Sequence, residues 1–292
     1  MEAILFVGHG SRDPEGNTEL LHFTEQVTEH LEAPIMETCF LELTQPDIPQ
    51  GIDRCVARGA TSICVIPIML FSAGHAKVHI PLAIQEGRER YPEVEFRYGR
   101  PFGVDENVLP LLKRRMDLIH PLKVNEEGER HPIAVLLVGR GSSDPDANSD
   151  LYKISRLFWE QTRVKWVETS FIGVTDPRFE EGLERCLRLG AQQCIVLPYF
   201  LFTGVLIKRM EEKLVRFASA HPDLTVQMGS YLGLDEGLIP ILLDRVREVE
   251  REGGSDWQAL AESAEAAGHH HHHHHHHPHD HAHRHRPVHP AG

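Results

Sequence analysis

Val7-Gly8-His9-Gly10-Ser11-Arg12-Asp13-Pro14 returns 131 positions later as Val138-Gly139-Arg140-Gly141-Ser142-Ser143-Asp144-Pro145. At the same spacing, Glu37-Thr38-Cys39-Phe40 pairs with Glu168-Thr169-Ser170-Phe171, and Gly51-Ile52-Asp53-Arg54-Cys55 pairs with Gly182-Leu183-Glu184-Arg185-Cys186. Pro67 to Phe71 likewise pairs with Pro198 to Phe202. Farther on, Gly99, Gly103, Asp105, Glu106 and Pro110 pair with Gly229, Gly233, Asp235, Glu236 and Pro240 at a spacing of 130, so the second copy lacks one residue in between. A two-unit repeat of this period is a duplicated domain rather than a solenoid, whose units run to roughly 20–50 residues.

The duplication sets the domain plan. One α/β domain is expected over 1–120, a charged connector over 121–130, a second copy over 131–250, and a disordered linker and tail over 251–292. In each copy short apolar runs alternate with helical periodicity. Ala3–Val7, Met36–Leu41, Ile63–Leu70 and Val94–Tyr98 read as strands. A helix opens at Asp13-Pro14 with Leu20, Thr24, Val27 and Leu31 on one face, a second carries Ile48, Ile52, Cys55 and Val56 and ends at Gly59, a third runs from Lys77 to Arg90, and Asp105 to His120 closes the unit. Alternation of this kind predicts two tandem α/β domains, each a parallel β-sheet flanked by helices, with ligands beyond the carboxyl ends of the strands.

Composition narrows the class. The chain is 41% hydrophobic and 25% charged, and no apolar run approaches the ~20 residues needed to span a bilayer. A net charge of −13 disfavours nucleic acid as a partner. The five cysteines form no CxxC pair and read as reduced core thiols. The N-terminus has neither the basic start nor the small-residue cleavage site of a secretory signal, so a cytoplasmic location is expected.

The differences between the copies locate the chemistry. His9 becomes Arg140, Glu42 becomes Gly173, and His75 falls on Val205 or Leu206 according to where the missing residue is placed. Each follows an expected strand, and successive βα loops open on one edge of a parallel sheet, so the three side chains can converge. Two neutral imidazoles and a carboxylate suit a divalent first-row metal, and equally serve as proton acceptors near neutral pH. Gly10-Ser11 and Gly141-Ser142, present in both copies, read as tight-turn and cap residues. Ser11, Arg12 and Lys77 are the candidates for meeting a carboxylated substrate, with solvated surface as the default for the two charges. His79 lies one turn beyond His75; His22 and His30 read as surface positions of the first helix.

From Gly268 onward the composition changes. His269 to His277 is an unbroken run, followed by His279, His281, His283, His285 and His289. So little apolar content predicts disorder, and dense imidazole suits cobalt, nickel, copper or zinc. The irregular continuation Pro278-His279-Asp280-His281-Ala282-His283-Arg284-His285-Arg286 favours a native tail that holds metal over a purification tag.

Phe6-Val7-Gly8-His9-Gly10-Ser11-Arg12, Phe40-Leu41-Glu42-Leu43-Thr44-Gln45-Pro46 and the segment from Pro67 to His75 resemble the sirohydrochlorin chelatases, class II enzymes that insert cobalt or ferrous iron. The resemblance extends over both halves, to about residue 250, and points to the long, two-domain form. It implies an active-site cleft between the domains, with His9, Glu42 and His75 as metal-holding and catalytic residues. It also implies sirohydrochlorin and a divalent metal ion as partners, with no cofactor beyond that substrate ion. Some long members carry a C-terminal iron–sulfur cysteine motif; here no cysteine follows Cys194, so no iron–sulfur cluster is expected. The duplication already supplies two lobes, so a monomer is expected. A non-enzymatic metal storage or delivery protein acting through the tail is the competing expectation, and it predicts that deleting 269–292 abolishes function.

Overall fold

The computed structural model describes residues 1–121 and 129–268; residues 122–128 of the expected connector and the histidine-rich stretch from 269 onward lie outside the described residues. The first half reads β1 (Glu2–Gly8), α1 (Pro14–Thr28), β2 (Ile35–Phe40), α2 (Ile48–Ala57), β3 (Ser62–Pro67), a π-helical turn (His75–His79), α3 (Ile80–Arg90), β4 (Glu95–Tyr98) and α4 (Val108–Asp117). The second reads β5 (His131–Gly139), α5 (Pro145–Gln161), β6 (Val164–Phe171), α6 (Phe179–Arg188), β7 (Gln193–Pro198), α7 (Val205–Ala220), β8 (Thr225–Met228), a 3-10 turn (Glu236–Leu238) and α8 (Ile239–Glu252). All strand pairs are parallel, in the orders β2-β1-β3-β4 and β6-β5-β7-β8. The chain thus has the expected architecture of two tandem α/β units.

Local chemistry explains the helix starts. Asp13 and Asp144 cap α1 and α5 by accepting from the Glu15 and Asp146 amides, each with proline in the first helical position. Asp47 and Gln50 form a reciprocal capping box at α2.

The uninterrupted apolar run of β1 is explained by burial on both faces. Ile4 and Phe6 join Cys64 and Ile66 beneath Phe23 and Val27 of α1, while Ala3, Leu5 and Val7 face a second cluster with Ile52, Cys55, Ile80 and Ile84. All five cysteines are free and buried. Among the described residues no helix is long and apolar enough to cross a membrane.

Two features depart from the sequence reading. The first is that the closing helices are exchanged. α4 packs on α5 and β7 of the second sheet, and α8 packs on α1 and β3 of the first. Leu111, Leu112 and Met116 therefore share one apolar cluster with Ile133, Val135, Ile195 and Leu197, and the same cluster takes in Val246 and Val249 beside Ile4 and Ile66. Burying those stripes on the opposite lobe ties the halves into one core. Arg245, 2% exposed, adds donation to the Phe102 carbonyl and to Asp105 across the same seam. Neither half is therefore a self-contained unit ending at 120 or 250.

The second departure corrects the expected disorder after 250. α8 continues to Glu252, Gly253 and Gly254 turn the chain at φ 81° and 83°, and α9 (Trp257–Ala266) follows. The Ser255 amide donates to the Tyr98 carbonyl at 2.7 Å, and a Cβ on Gly254 would lie 2.4 Å from that same oxygen. Asp256 caps α9 through the Ala259 amide. Trp257 is 7% exposed, and its indole N–H donates to the Phe96 carbonyl at 3.1 Å, covering edge strand β4. Ala261 and Ala264 pack on Leu82 and Val78, so α9 backs the turn that carries His75.

Candidate active site

In the order β2-β1-β3-β4 the connections diverge on either side of the β1–β3 pair, and the crevice at their carboxyl ends is where such sheets take ligands. His9 follows β1 and His75 follows β3, so they flank this switch point. Glu42 arrives from the other side of β1. Its amide donates to the His9 carbonyl at 3.1 Å, and the Leu41 amide donates to Gly8 O at 2.8 Å, carrying strand-like pairing past the ends of β1 and β2. Gly10 makes this approach possible: it sits at φ 88°, and a Cβ there would stand 1.8 Å from the Glu42 carbonyl oxygen. Leu43 then turns the chain away at φ 67°, a conformation repeated by Val174 at φ 63° in the second copy.

His75 opens the π-turn, in which the Ile80 N–H reaches back to the His75 carbonyl. This turn accounts for the residue missing from the second copy. The Lys77 N–H bonds to Ala73 O and the Lys208 N–H bonds to Gly204 O, positions still 131 apart; the closing bonds, Tyr91 N–H to Gly87 O and His221 N–H to Phe217 O, are 130 apart. The surplus residue of the first copy thus lies inside this helix, where a π-turn absorbs one extra residue. His75 accordingly matches Leu206. The buried Tyr98 hydroxyl donates to the Ala76 carbonyl at 2.8 Å and steadies the turn.

One ligand atom from each of His9, Glu42 and His75 lies within 4.8 Å of the others, close enough to share one ion. His9 Nδ1 is 3.6 Å from Glu42 Oε1, and the His9 and His75 rings meet edge to face with centroids 4.5 Å apart. His79 stands behind His75 at 5.0 Å between centroids. His75 Nδ1 is buried with no hydrogen-bond partner among the described residues, which leaves it open to coordination. Burial pushes His75 down to about 3, helped by His9, His79 and Arg140. Burial also lowers His9, with the Arg140 guanidinium next, against opposing contributions from the Gly10 carbonyl and Glu42. Both imidazoles are therefore neutral at neutral pH, the form that binds metal.

The substrate-contact candidates separate. Ser11 is taken up by the turn: its hydroxyl accepts from the Asp13 amide, and its backbone N–H and C=O both bond to the Asn17 side chain. Ser142 and Asn148 repeat the arrangement in the second copy. Lys77 reaches across to the second lobe, at 2.7 Å from Asp144 and 3.0 Å from Asp146. Arg12 is exposed. Arg140, which reads in the sequence as a mere loss of His9, is instead part of the site: its Nη1 is 2.8 Å from His9 Nε2. The offset that pairs residues 9 and 140 in the repeat was the available signal.

A family model described as CbiX matches residues 3–118 and again residues 134–249. The chain belongs to the CbiX family. Both repeats that carry the CbiX match coincide with the two sheets and their helices. Among CbiX-like relatives, a sirohydrochlorin cobaltochelatase of Priestia megaterium is 53% identical over 249 residues, covering 85% of this chain and 80% of the relative. A sirohydrochlorin ferrochelatase of the same organism is 40% identical over 259 residues, covering 88% and 94%. Of solved structures, SirB from Bacillus subtilis with Fe3+ superposes with a TM-score of 0.74 at 37% identity, covering 86% of this chain and 97% of that one. SirB from Bacillus subtilis subspecies spizizenii in complex with cobalt gives 0.71 at 34% identity, covering 91% and 97%.

Proposed function

We propose that this CbiX-family protein is a sirohydrochlorin chelatase that places a divalent metal into sirohydrochlorin and releases two protons. The observation that carries the reading is the meeting of His9, Glu42 and His75 within 4.8 Å at the switch point of the first sheet. His9 and His75 present lone pairs to the ion, and burial keeps the His75 lone pair unprotonated. Glu42 accepts a pyrrole proton, or shares the metal while an imidazole takes the proton. A neutral imidazole performs one of these jobs at a time, so three groups suit a reaction that must hold an ion and remove two protons. The macrocycle is a flat polycarboxylate, and Arg12 and Arg140 are the cleft cations suited to its acid groups.

Cobalt is the favoured ion, with ferrous iron the alternative. Its support is the 53% identity to a cobaltochelatase against 40% to a ferrochelatase, together with the imidazole-rich sequence from His269 onward. We place the reaction in the cytosol and assign it to a monomer, because one chain supplies both walls of the cleft.

The test is anaerobic incubation with sirohydrochlorin and Co2+ or Fe2+, followed by absorbance, for the parent and His9→Ala. The parent is expected to convert the spectrum, faster with Co2+, and the variant to fail. Unchanged spectra with both metals end the chelatase reading, and equal rates in parent and variant end the site assignment.

A further inference from the structure

We propose that Arg140, supplied by the copy that lost the metal ligands, is a latch on His9 that a carboxylate of the incoming tetrapyrrole opens. The inference rests on the chelatase reading and specifies an order of events within it. Arg140 Nη1 lies 2.8 Å from His9 Nε2. A guanidinium has only donors, so Nε2 must be the ring atom with the lone pair. A neutral imidazole has one such pair, which leaves the proton on Nδ1, and the 3.1 Å approach of Nδ1 to the Gly10 carbonyl oxygen fits that tautomer.

With Arg140 in place, His9 has no electron pair to offer an ion. Binding at Nε2 requires the guanidinium to leave. Binding at Nδ1 requires the proton to move to Nε2, where an N–H would face the N–H of Arg140, so the guanidinium must leave again. Its positive charge, held beside the ligand set, also repels a dication until it moves.

The surroundings identify what moves it. Arg140 directly follows β5, at the carboxyl end of that strand, and is exposed. Among the described residues no carboxylate lies within ion-pair distance of it, whereas the cleft lysines Lys77 and Lys208 are each committed to aspartates. A guanidinium held by one bond to a neutral imidazole exchanges it readily for a carboxylate, which offers two charge-assisted bonds. A polycarboxylated macrocycle brings that group with it. Seating the tetrapyrrole therefore frees the His9 lone pair, and the site takes its ion when an acceptor is already present.

Anaerobic calorimetric titration of the full chain with Co2+, subtracting the same titration of His75→Ala to remove binding elsewhere, tests the latch. Without tetrapyrrole, Arg140→Ala is expected to bind Co2+ at the site about tenfold more tightly than the parent. Its KM for sirohydrochlorin is expected to rise by about the same factor, because the cation that captures the acid group is gone. Arg140→Met, which keeps the aliphatic stem, should behave alike, and both should melt with the parent. Unaltered or weaker Co2+ binding in both variants overturns the latch, and an unaltered KM overturns its opening by carboxylate. The underlying reading fails separately: a parent that inserts neither metal refutes the chelatase function whatever the titration returns.

Discussion

Lys77 and Lys208 occupy equivalent positions of the two copies, and each reaches to the aspartate that caps the first helix of the opposite lobe. Lys77 Nζ is 2.7 Å from Asp144, and Lys208 Nζ is 2.6 Å from Asp13. Each lysine lowers the pKa of the carboxyl it meets, so both aspartates stay ionised. The pairs are related by the internal duplication and link the two lobes to one another. Because Lys77 is committed to this bridge, Lys77→Met should change KM for sirohydrochlorin by less than about fivefold, the scale of a partly exposed ion pair. The Lys77→Met/Lys208→Met double variant should lose more kcat than the product of the single losses, because either bridge alone still spaces the cleft. Steady-state kinetics of the three variants decide it. A large KM effect of Lys77→Met alone would return that residue to the substrate.

The π-turn carries a second prediction. One residue of an α-helix subtends about 100°, so removing the surplus residue should rotate His75 relative to the rest of α3 and away from His9 and Glu42. A chain with Val78 deleted should keep its helical circular dichroism, since α7 shows that the shorter helix is well formed in this fold. It should nonetheless lose at least about 100-fold in metal insertion, the lower range for removing one acid–base or ligand group. Retention of activity within a few-fold would show that the π-turn does not position His75.

Much of this arrangement is legible in the sequence, and the exceptions share a cause. Strands buried on both faces write themselves as uninterrupted apolar runs, so β1 and β3 stand out. The comparison of copies isolates His9, Glu42 and His75 because the second copy kept its turn glycines while losing them. What pattern reading misses is where an amphipathic element goes. The stripe Leu111, Leu112 and Met116 requires a partner but does not say that the partner is the other sheet. Arg140 passes for a loss because residue-by-residue comparison does not show that residues 9 and 140 face one another. α9 did leave a signal, with Trp257, Leu260, Ala261 and Ala264 at helical spacing, but it follows two glycines and precedes a polyhistidine run. Ser11 and Lys77 are substrate-contact candidates by position, and in the fold each already has protein partners, Asp13 and Asn17 for Ser11 and Asp144 and Asp146 for Lys77.

Acid stability should report on His75. Burial in the fold holds its pKa at about 3 against an ordinary value of 6.5. Between those values the unfolded chain binds more protons at this site than the folded chain, so stability rises with pH and is lost on acidification through that window. The metal-free parent should therefore lose more of its urea midpoint than His75→Asn between about pH 7 and about pH 4.5. Identical losses would mean that the imidazole is not held neutral by its surroundings.

The last helix should prove integral to the fold. Trp257 is 7% exposed, its indole N–H is bonded to the Phe96 carbonyl, and its neighbours Ala261 and Ala264 pack on Leu82 at the start of α3. Trp257→Ala removes a large buried side chain and leaves the Phe96 carbonyl without its donor, which together should cost about 3–5 kcal/mol of unfolding free energy. Because α9 supports the π-turn through Val78, the loosened protein should also turn over more slowly at a temperature where it is still folded. Substrate affinity should be affected less, since Arg12 and Arg140 lie on other elements. Urea unfolding and steady-state kinetics separate the two effects. A stability change within about 0.5 kcal/mol, as for a surface substitution, would place α9 outside the cooperative unit and sever its proposed link to His75.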